Sequence, residues 1–473
     1  MQEMKGARSK MNNEIIGQET IGQEIEKFFG QDVERIARET GFVQRRSKLN
    51  GLVFLQAMVF GCIEHAVISL SQIAQACLDI GVEISAQGID ERINESSVSF
   101  LRQIFAKAVE FFRHEQPLPF LDQFSHVYLV DSSQIALPES MAELYPGSGG
   151  NGPEASLKIQ LVFDFLFGHI EQLVFGPGRE NDQGYRGYWS VFKPGALILM
   201  DLGYFVLDSF KAIVEAQAYF LSRYHYPTAL STPDGKPIEL SKWLAKQSEA
   251  VIDQPILLGA RSQHRIPCRL IAIRLPQEVA DRRRQKSKET AKRRGVTLTK
   301  EYLMLHDWLL YVTNVPPSML TPQQVAQVYR VRWQIELVFK LWKSFCGMRS
   351  VADLRSLRIL TELYARLIGV VLTHFLIAPL RLPFGPTANR EISPVQVRSI
   401  LKRFARLLNQ ALAHPHSFQL VLDDFLHHLS HFGFKQKRRK SPNVYHQLAL
   451  TFHLFDLQPE PDSDFIPFDL ALA

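Results

Sequence analysis

A break in texture near residue 117 constrains this chain more than any other feature. From about residue 13 to 115 there is no proline and no strand alternation, and apolar residues recur at three and four spacing. That stretch reads as helix. After Pro117-Leu118-Pro119 come short apolar runs: HVYLVDSSQIAL, LKIQLVFDFLFG, HIEQLVFGPG and ALILMDLGYF. A helix near Ser209 to Ala218 and a further strand, AYFLSR, follow. Strands mixed with helices predict an α/β core. Residues 226 to 320 interrupt it with strand-like runs, PILLGARSQHRIPCRLIAIRLP and WLLYVTNVPP, around a charged excursion. From Thr321, TPQQVAQVYRVRWQIELVFKLWKS reads as one long helix opened by Thr-Pro. The rest stays helical to about Leu450, apart from breaks at Pro383 and Pro386, and ends in an irregular tail, QPEPDSDFIPFDL.

Charge adds a partner class. The 473 residues carry a net charge of +6. Two basic runs, Arg282 to Arg294 and Lys435 to Lys440, hold more positive charge than that, so the rest of the chain is mildly acidic. Such runs are ordinarily solvated faces, but concentrated on an acidic body they suit a polyanion. Hydrophobic residues at 46% and charged residues at 22% exclude wholesale disorder. Four cysteines without CxxC spacing argue against a disulfide framework or a zinc knuckle, and so for a reducing compartment. The first residues lack the apolar core of a signal peptide. The apolar runs Leu52 to Ile63 and Leu367 to Leu380 fall short of the roughly 18–20 residues of a membrane span, and are expected as buried helices. Within the first helical region, LSQIAQACLDIGVEISAQGIDERIN has a helix, a turn at Gly81, and a second helix capped by Ser85. It suits either a DNA-reading helix-turn-helix presenting Gln87, Asp90, Arg92 and Asn94, or a plain helical hairpin.

Asp131 follows the apolar run YLV and Asp201 follows LILM. One such acid is ordinarily a turn cap. Two, each after a core strand, invite a metal site, because Mg²⁺ needs convergent carboxylates on rigid elements. The long helix supplies a third acid. With Tyr329 at zero, an ideal helix puts Arg332, Glu336 and Lys343 at about 300°, 340° and 320°. Val331, Ile335, Val338 and Trp342 fall on the opposite side. The polar stripe is either a solvated face or a phosphate site, with Glu336 as metal ligand and Arg332 and Lys343 holding phosphates.

That Y-x2-R-x3-E-x6-K pattern resembles the Tyr-Arg-Glu-Lys signature of bacterial insertion-sequence DDE transposases. DSSQIALP resembles the family's first-Asp strand, MDLGYF its second-Asp segment, and AYFLSR the strand with a DNA-contacting arginine, here Arg223. The resemblance runs from about residue 50 to 375. It implies an α/β ribonuclease-H-like catalytic core interrupted by a mainly β insertion, with helical N- and C-terminal regions. The implied organisation is a DNA-binding region over 1–120, core over 121–225, insertion over 226–320, core again over 321–380, and a C-terminal region over 381–473. Asp131, Asp201 and Glu336 would bind two Mg²⁺ ions, with Mn²⁺ able to substitute, for metal-dependent cleavage and strand transfer. Three converging carboxylates should have raised pKa values before metal arrives. Trp308, leading the strand before the signature helix, would stack on a flipped base or else sit in the core. Tyr329 would hold a phosphate or cap the helix face. The implied partners are double-stranded terminal inverted repeats and target DNA, with a homodimer in the synaptic complex, in a bacterial cytoplasm and without a membrane. The alternatives are a metal-dependent nuclease of the same fold, or a non-catalytic DNA-binding protein derived from a transposase.

Overall fold

The structure, a computed structural model, describes residues 18–448 except 31, 114–117, 119–120, 150–151, 261–264, 346–354, 382–391, 414, 436–443 and 445–446. The prolines at 117, 119, 383 and 386, the second basic run after Lys435, and the irregular tail lie outside the described residues.

The strands are β1 (Val127–Leu137), β2 (Ala155–Asp164), β3 (His169–Pro177), β4 (Leu197–Met200), β5 (Tyr219–Arg223), β6 (Leu230–Ser231), β7 (Pro237–Ile238), β8 (Val251–Leu258), β9 (Ile266–Arg274) and β10 (Trp308–Thr313). They form one sheet in the order β3-β2-β1-β4-β5-β10-β9-β8-β6-β7. β1, β4 and β5 run parallel, while β2 and β10 flank them antiparallel. The region 226–320 therefore continues the sheet across the β5–β10 pairing.

The sheet is covered on both faces. Val127, Leu129, Leu197, Leu199 and Leu221 join the larger core, and Tyr128, Val130, Ile198, Met200 and Phe220 join the second. This is the period-two split of a pleated strand. Burial on both faces also explains why these runs read as continuously apolar.

The larger core takes in the helices from both ends of the chain. The Ser356–Ile377 helix packs against Gly51–Glu64 and Glu95–Phe111. At 22 residues it is longer than its apolar run suggested. It is long and apolar enough to cross a membrane, but 94% of its apolar window is buried in the protein. Its buried Glu362 accepts from Arg358 at 3.1 Å and pairs with Arg366 at 3.5 Å. Arg366 also donates to the carbonyls of Cys62 and His65. These bonds tie the first helical region to the last.

One sequence expectation changes here, and one segment left open can be placed. The charged excursion is an 18-residue helix, Gln277–Arg294, closed by Gly295 at φ 64°, a left-handed position that suits glycine. In the proposed helix-turn-helix, Ser69 and Ser85 cap the helices Leu70–Leu78 and Ala86–Arg92. However, Arg92 donates inward to Phe42, Ser47 and Leu49. Asp90 accepts from Arg355, and Asn94 caps the next helix. Of the four polar residues, Gln87 and Asn94 are exposed, and Gln87 bonds Glu91 of its own helix.

Candidate active site

The strand register places the first two acids. Val130 of β1 pairs with Met200 of β4, and Met200 pairs with Ser222 of β5. The next residues along, Asp131, Asp201 and Arg223, therefore form a row across three adjacent parallel strands, each about 4.8 Å from the next. Strand alternation gives all three the face of Leu129, Leu199 and Leu221, where the larger core lies. β1 does not end at Asp131, as its sequence suggested. It continues to Leu137 along β2, while β4 stops at Met200. Asp131 thus sits where the parallel pairing opens.

Glu336 reaches the row from the Gln334–Phe345 helix, which packs against β1. The Thr321 segment is not one continuous helix. Pro322–Arg330 is capped by Thr321, a 3₁₀ turn covers Val331–Trp333, and the α-helix resumes at Gln334. A 3₁₀ turn advances about 120° per residue, but over three residues the change is small, and Val331, Ile335, Val338 and Trp342 stay on the buried side. Tyr329 is buried in the larger core, 6% exposed. Its hydroxyl donates to the Met200 carbonyl at 3.4 Å, beside Asp201, and its ring lies 5.2 Å from Tyr311.

Arg332, on the 3₁₀ turn, spans the two outer acids. It donates to Asp131 at 3.4 Å and to Glu336 at 3.2 Å. Asp131 also accepts from the Ser132 amide at 2.8 Å, and Asp201 from the Gly203 amide at 2.8 Å. Asp201 is thus both a turn cap and a member of the row. Burial first, then the charge of Asp201, pushes the Asp131 carboxyl up to about 7. The Ser132 amide and Arg332 oppose that shift without cancelling it. Among the described residues Arg332 is the one cation bonded to any of the three acids, and it reaches Asp131 and Glu336.

Arg223 ends the row, its guanidinium 5.6 Å from the Tyr329 ring. Lys343 is exposed, two turns beyond Glu336. Trp308 is not brought to the acids. It is 5% exposed, sits in the second core on the far face, and stacks with Arg274 at 4.5 Å. This is the core alternative for that residue. Trp333 escaped the sequence reading. It is 42% exposed, immediately after Arg332, with Lys340 5.4 Å from its ring. The adjoining sequence VRWQIE could have flagged it, had the exposed face been known.

A second cluster lies on the opposite face. Asp164, His169 and Glu171 bring their ligand atoms within 4.8 Å of one another. Asp164 bonds His126 at 2.6 Å, and Glu171 bonds His169, Arg113 and Lys193 at 3.2 to 3.3 Å. Arg113 and Lys193 already match Glu171, and Asp164 is hydrogen-bonded to His126, so the cluster is a polar network separate from the acid row.

Residues 122–372 match the family described as Transposase DDE domain. The transposase for insertion sequence element IS1151 of Clostridium perfringens is 26% identical over 449 residues, covering 90% of this chain and 94% of that protein. The transposase for insertion sequence element IS231F of Bacillus thuringiensis subsp. israelensis is 25% identical over 457 residues, covering 91% and 95%. A solved piggyBac transposase synaptic complex with hairpin DNA aligns over 94% of this chain and 87% of its own, with a TM-score of 0.41 and 10% identity, a likeness too slight to build on. The family match spans more than half of the chain and takes in Asp131, Asp201 and Glu336; this chain belongs to the Transposase DDE domain family.

Proposed function

We propose that Asp131, Asp201 and Glu336 are the catalytic, metal-holding carboxylates of this DNA transposase. In this reading β1 to β5 and the Gln334–Phe345 helix make a ribonuclease-H-like core, over 121–225 and 321–380. Residues 226–320 are its insertion, 1–120 binds DNA and 381–473 is the C-terminal region. The observation that carries the reading is the register. It sets two acids side by side on one face and leaves a third, from a helix, sharing one arginine with the first. Three hard oxygen donors with a single cation among them suit a divalent metal, Mg²⁺ or Mn²⁺. Bound metal would supply charge neutralisation at the phosphate and an activated oxygen nucleophile.

The chain's own residues position the rest. Arg332 leaves the carboxylates when metal enters and turns to a phosphate oxygen, which its planar fork fits. Arg223 and Lys343 hold the DNA backbone on either side of the acids. Tyr329 fixes the Met200 peptide and, through it, the Asp201 carboxylate. Trp308 is assigned to packing, on its burial in the second core.

The substrates are the terminal inverted repeats of the protein's own element and a target duplex, engaged by a homodimer in the paired-end complex. Protein, Mg²⁺, labelled element ends and a target plasmid test the whole reading. Joined product is expected. Cut product alone would make the protein a nuclease, and shifted bands alone would leave only DNA binding.

A further inference from the structure

The basic helix is not charged uniformly outward. Arg284 pairs with Asp281 at 2.6 Å and with Asp307. Its neighbour Arg283 turns inward and donates to the Trp308 carbonyl at 3.3 Å, at the start of β10. Three residues on, Tyr311 of β10 lies opposite Arg223 in register. Arg283 at the Trp308 carbonyl and Arg223 opposite Tyr311 therefore lie along the same short stretch of β10, and burial, then the charge of Arg223, depresses the Arg283 pKa. The Arg223 Nε is buried without a hydrogen-bond partner. Among the described residues neither Arg223 nor Arg283 pairs with a carboxylate. His306, on the turn before β10, adds no negative charge. Burial and the charges of Arg283 and Arg284 hold it neutral, with a pKa of about 4, and its Nε2 is also buried and unpartnered.

Two partly buried cations with no counter-charge are unfavourable unless an anion completes them. The acid row one strand away repels a free carboxylate just as it repels phosphate, so the anion must be anchored elsewhere. A polymer backbone supplies that anchorage. We propose that Arg283 and Arg223 jointly hold one DNA backbone phosphate, next to the phosphate that the acid row attacks. The proposal rests on the assignment of the acid row to DNA chemistry. It makes Arg283 a residue of the DNA site and separates it from the rest of the basic helix.

The test is fluorescence anisotropy of the full chain with a labelled duplex of the element's own terminus, without Mg²⁺, over a series of KCl concentrations. Arg283→Gln keeps a donor for the Trp308 carbonyl and removes the charge. It should lower affinity about tenfold at low salt and reduce the salt slope by about 0.9, one phosphate contact. Arg283→Lys should keep the slope. Because both arginines hold one phosphate, the Arg223→Ala/Arg283→Gln double variant should lose less than the product of the two single losses. A wild-type slope for Arg283→Gln, at an unchanged melting temperature, overturns the proposal, and so does strict additivity. Binding is read without cleavage, so failure of the wild type to cut ends would sink the catalytic assignment and leave this measurement readable.

Discussion

Two carboxylate clusters occupy opposite faces of one sheet, and their counter-charges differ. On one face a single arginine pairs with Asp131 and Glu336, Asp201 has no cation bonded to it among the described residues, and Asp131 is pushed up to about 7. On the other, Asp164 and Glu171 meet His126, His169, Arg113 and Lys193. There burial pushes Glu171 up, but His169, Arg113 and Lys193 outweigh it and hold it at about 2. Proximity alone would choose the second cluster as a metal site, since its ligand atoms lie within 4.8 Å. Charge balance favours the first, the site proposed above. Carboxylates already paired gain little from a metal, whereas carboxylates that repel one another gain most.

The sharpest way to break this comparison is to remove one acid from each cluster. Asp131→Ala, Asp201→Ala and Glu336→Ala should each take Mg²⁺-dependent end cleavage below detection while binding to end DNA persists. Asp164→Ala should do the reverse. Asp164 is fully buried and accepts from the Leu166 amide at 3.0 Å as well as from His126. Losing it should lower stability by about 3 kcal/mol, the effect of breaking a buried pair, with cleavage per folded molecule unchanged. Thermal unfolding and a single-turnover cleavage assay, run on the same preparations, separate the two outcomes. An Asp164→Ala protein of normal melting temperature that cannot cut would reverse the assignment.

The pH dependences should have opposite signs. The Asp131 carboxyl binds its proton more tightly folded than unfolded, so stability is lost as pH rises from about 4 to about 7. Asp131→Asn removes that loss, and the variant should exceed the wild type by on the order of 2 kcal/mol at pH 8, converging near pH 4. Glu171 binds its proton less tightly folded, so its contribution is complete above about 4.5 and fades as pH falls towards about 2. Glu171→Gln should therefore be less stable than wild type at pH 7 and approach it in acid. Metal sharpens the contrast. At a hundred times its dissociation constant Mg²⁺ should stabilise the wild type by about 2.7 kcal/mol. That gain should disappear in Asp131→Asn and survive in Glu171→Gln. Equal metal stabilisation in both variants would place the metal outside either cluster.

The first cluster was legible in the sequence and the second was not. Asp131 and Asp201 each follow an apolar run, and Glu336 lies four residues after Arg332, a spacing that survives because both belong to the helical signature segment. Asp164 ends β2 in the same manner, yet His126, Arg113 and Lys193 reach it or Glu171 from loops that no local pattern connects. Trp308 was undecidable for another reason. β10 is covered on both faces, so its residues do not alternate in polarity, and only the pairing with β5 and β9 says which way the ring points. The burial of Tyr329 was not legible either, because Met200 and Tyr311, which cover it, come from strands that the helix pattern does not connect to it. Likewise the basic run Arg282 to Arg294 gave its charge but not the buried Val279, Ala280 and Ala291 that lay its helix on the protein.

The smallest expected effect concerns the support of the acid row. Tyr329→Phe removes a long hydrogen bond, 3.4 Å, to the Met200 carbonyl and keeps the ring between Tyr311 and Arg223. A bond of that length is worth no more than about 0.5 kcal/mol, so stability should change little and the cleavage rate at subsaturating Mg²⁺ should fall about twofold. Tyr329→Ala should do more, because it opens a cavity beneath Arg223 and frees the strand end that carries Asp201. Neither change should touch the Asp164 cluster, which the hydroxyl does not reach through any hydrogen bond among the described residues. The measurement is single-turnover cleavage across a Mg²⁺ titration. A positioning role predicts that Tyr329→Phe shifts the Mg²⁺ midpoint and leaves the rate at saturating metal near that of the wild type. If Tyr329→Phe instead lost as much rate as Asp201→Ala at saturating Mg²⁺, the hydroxyl would have to act on the reacting phosphate itself.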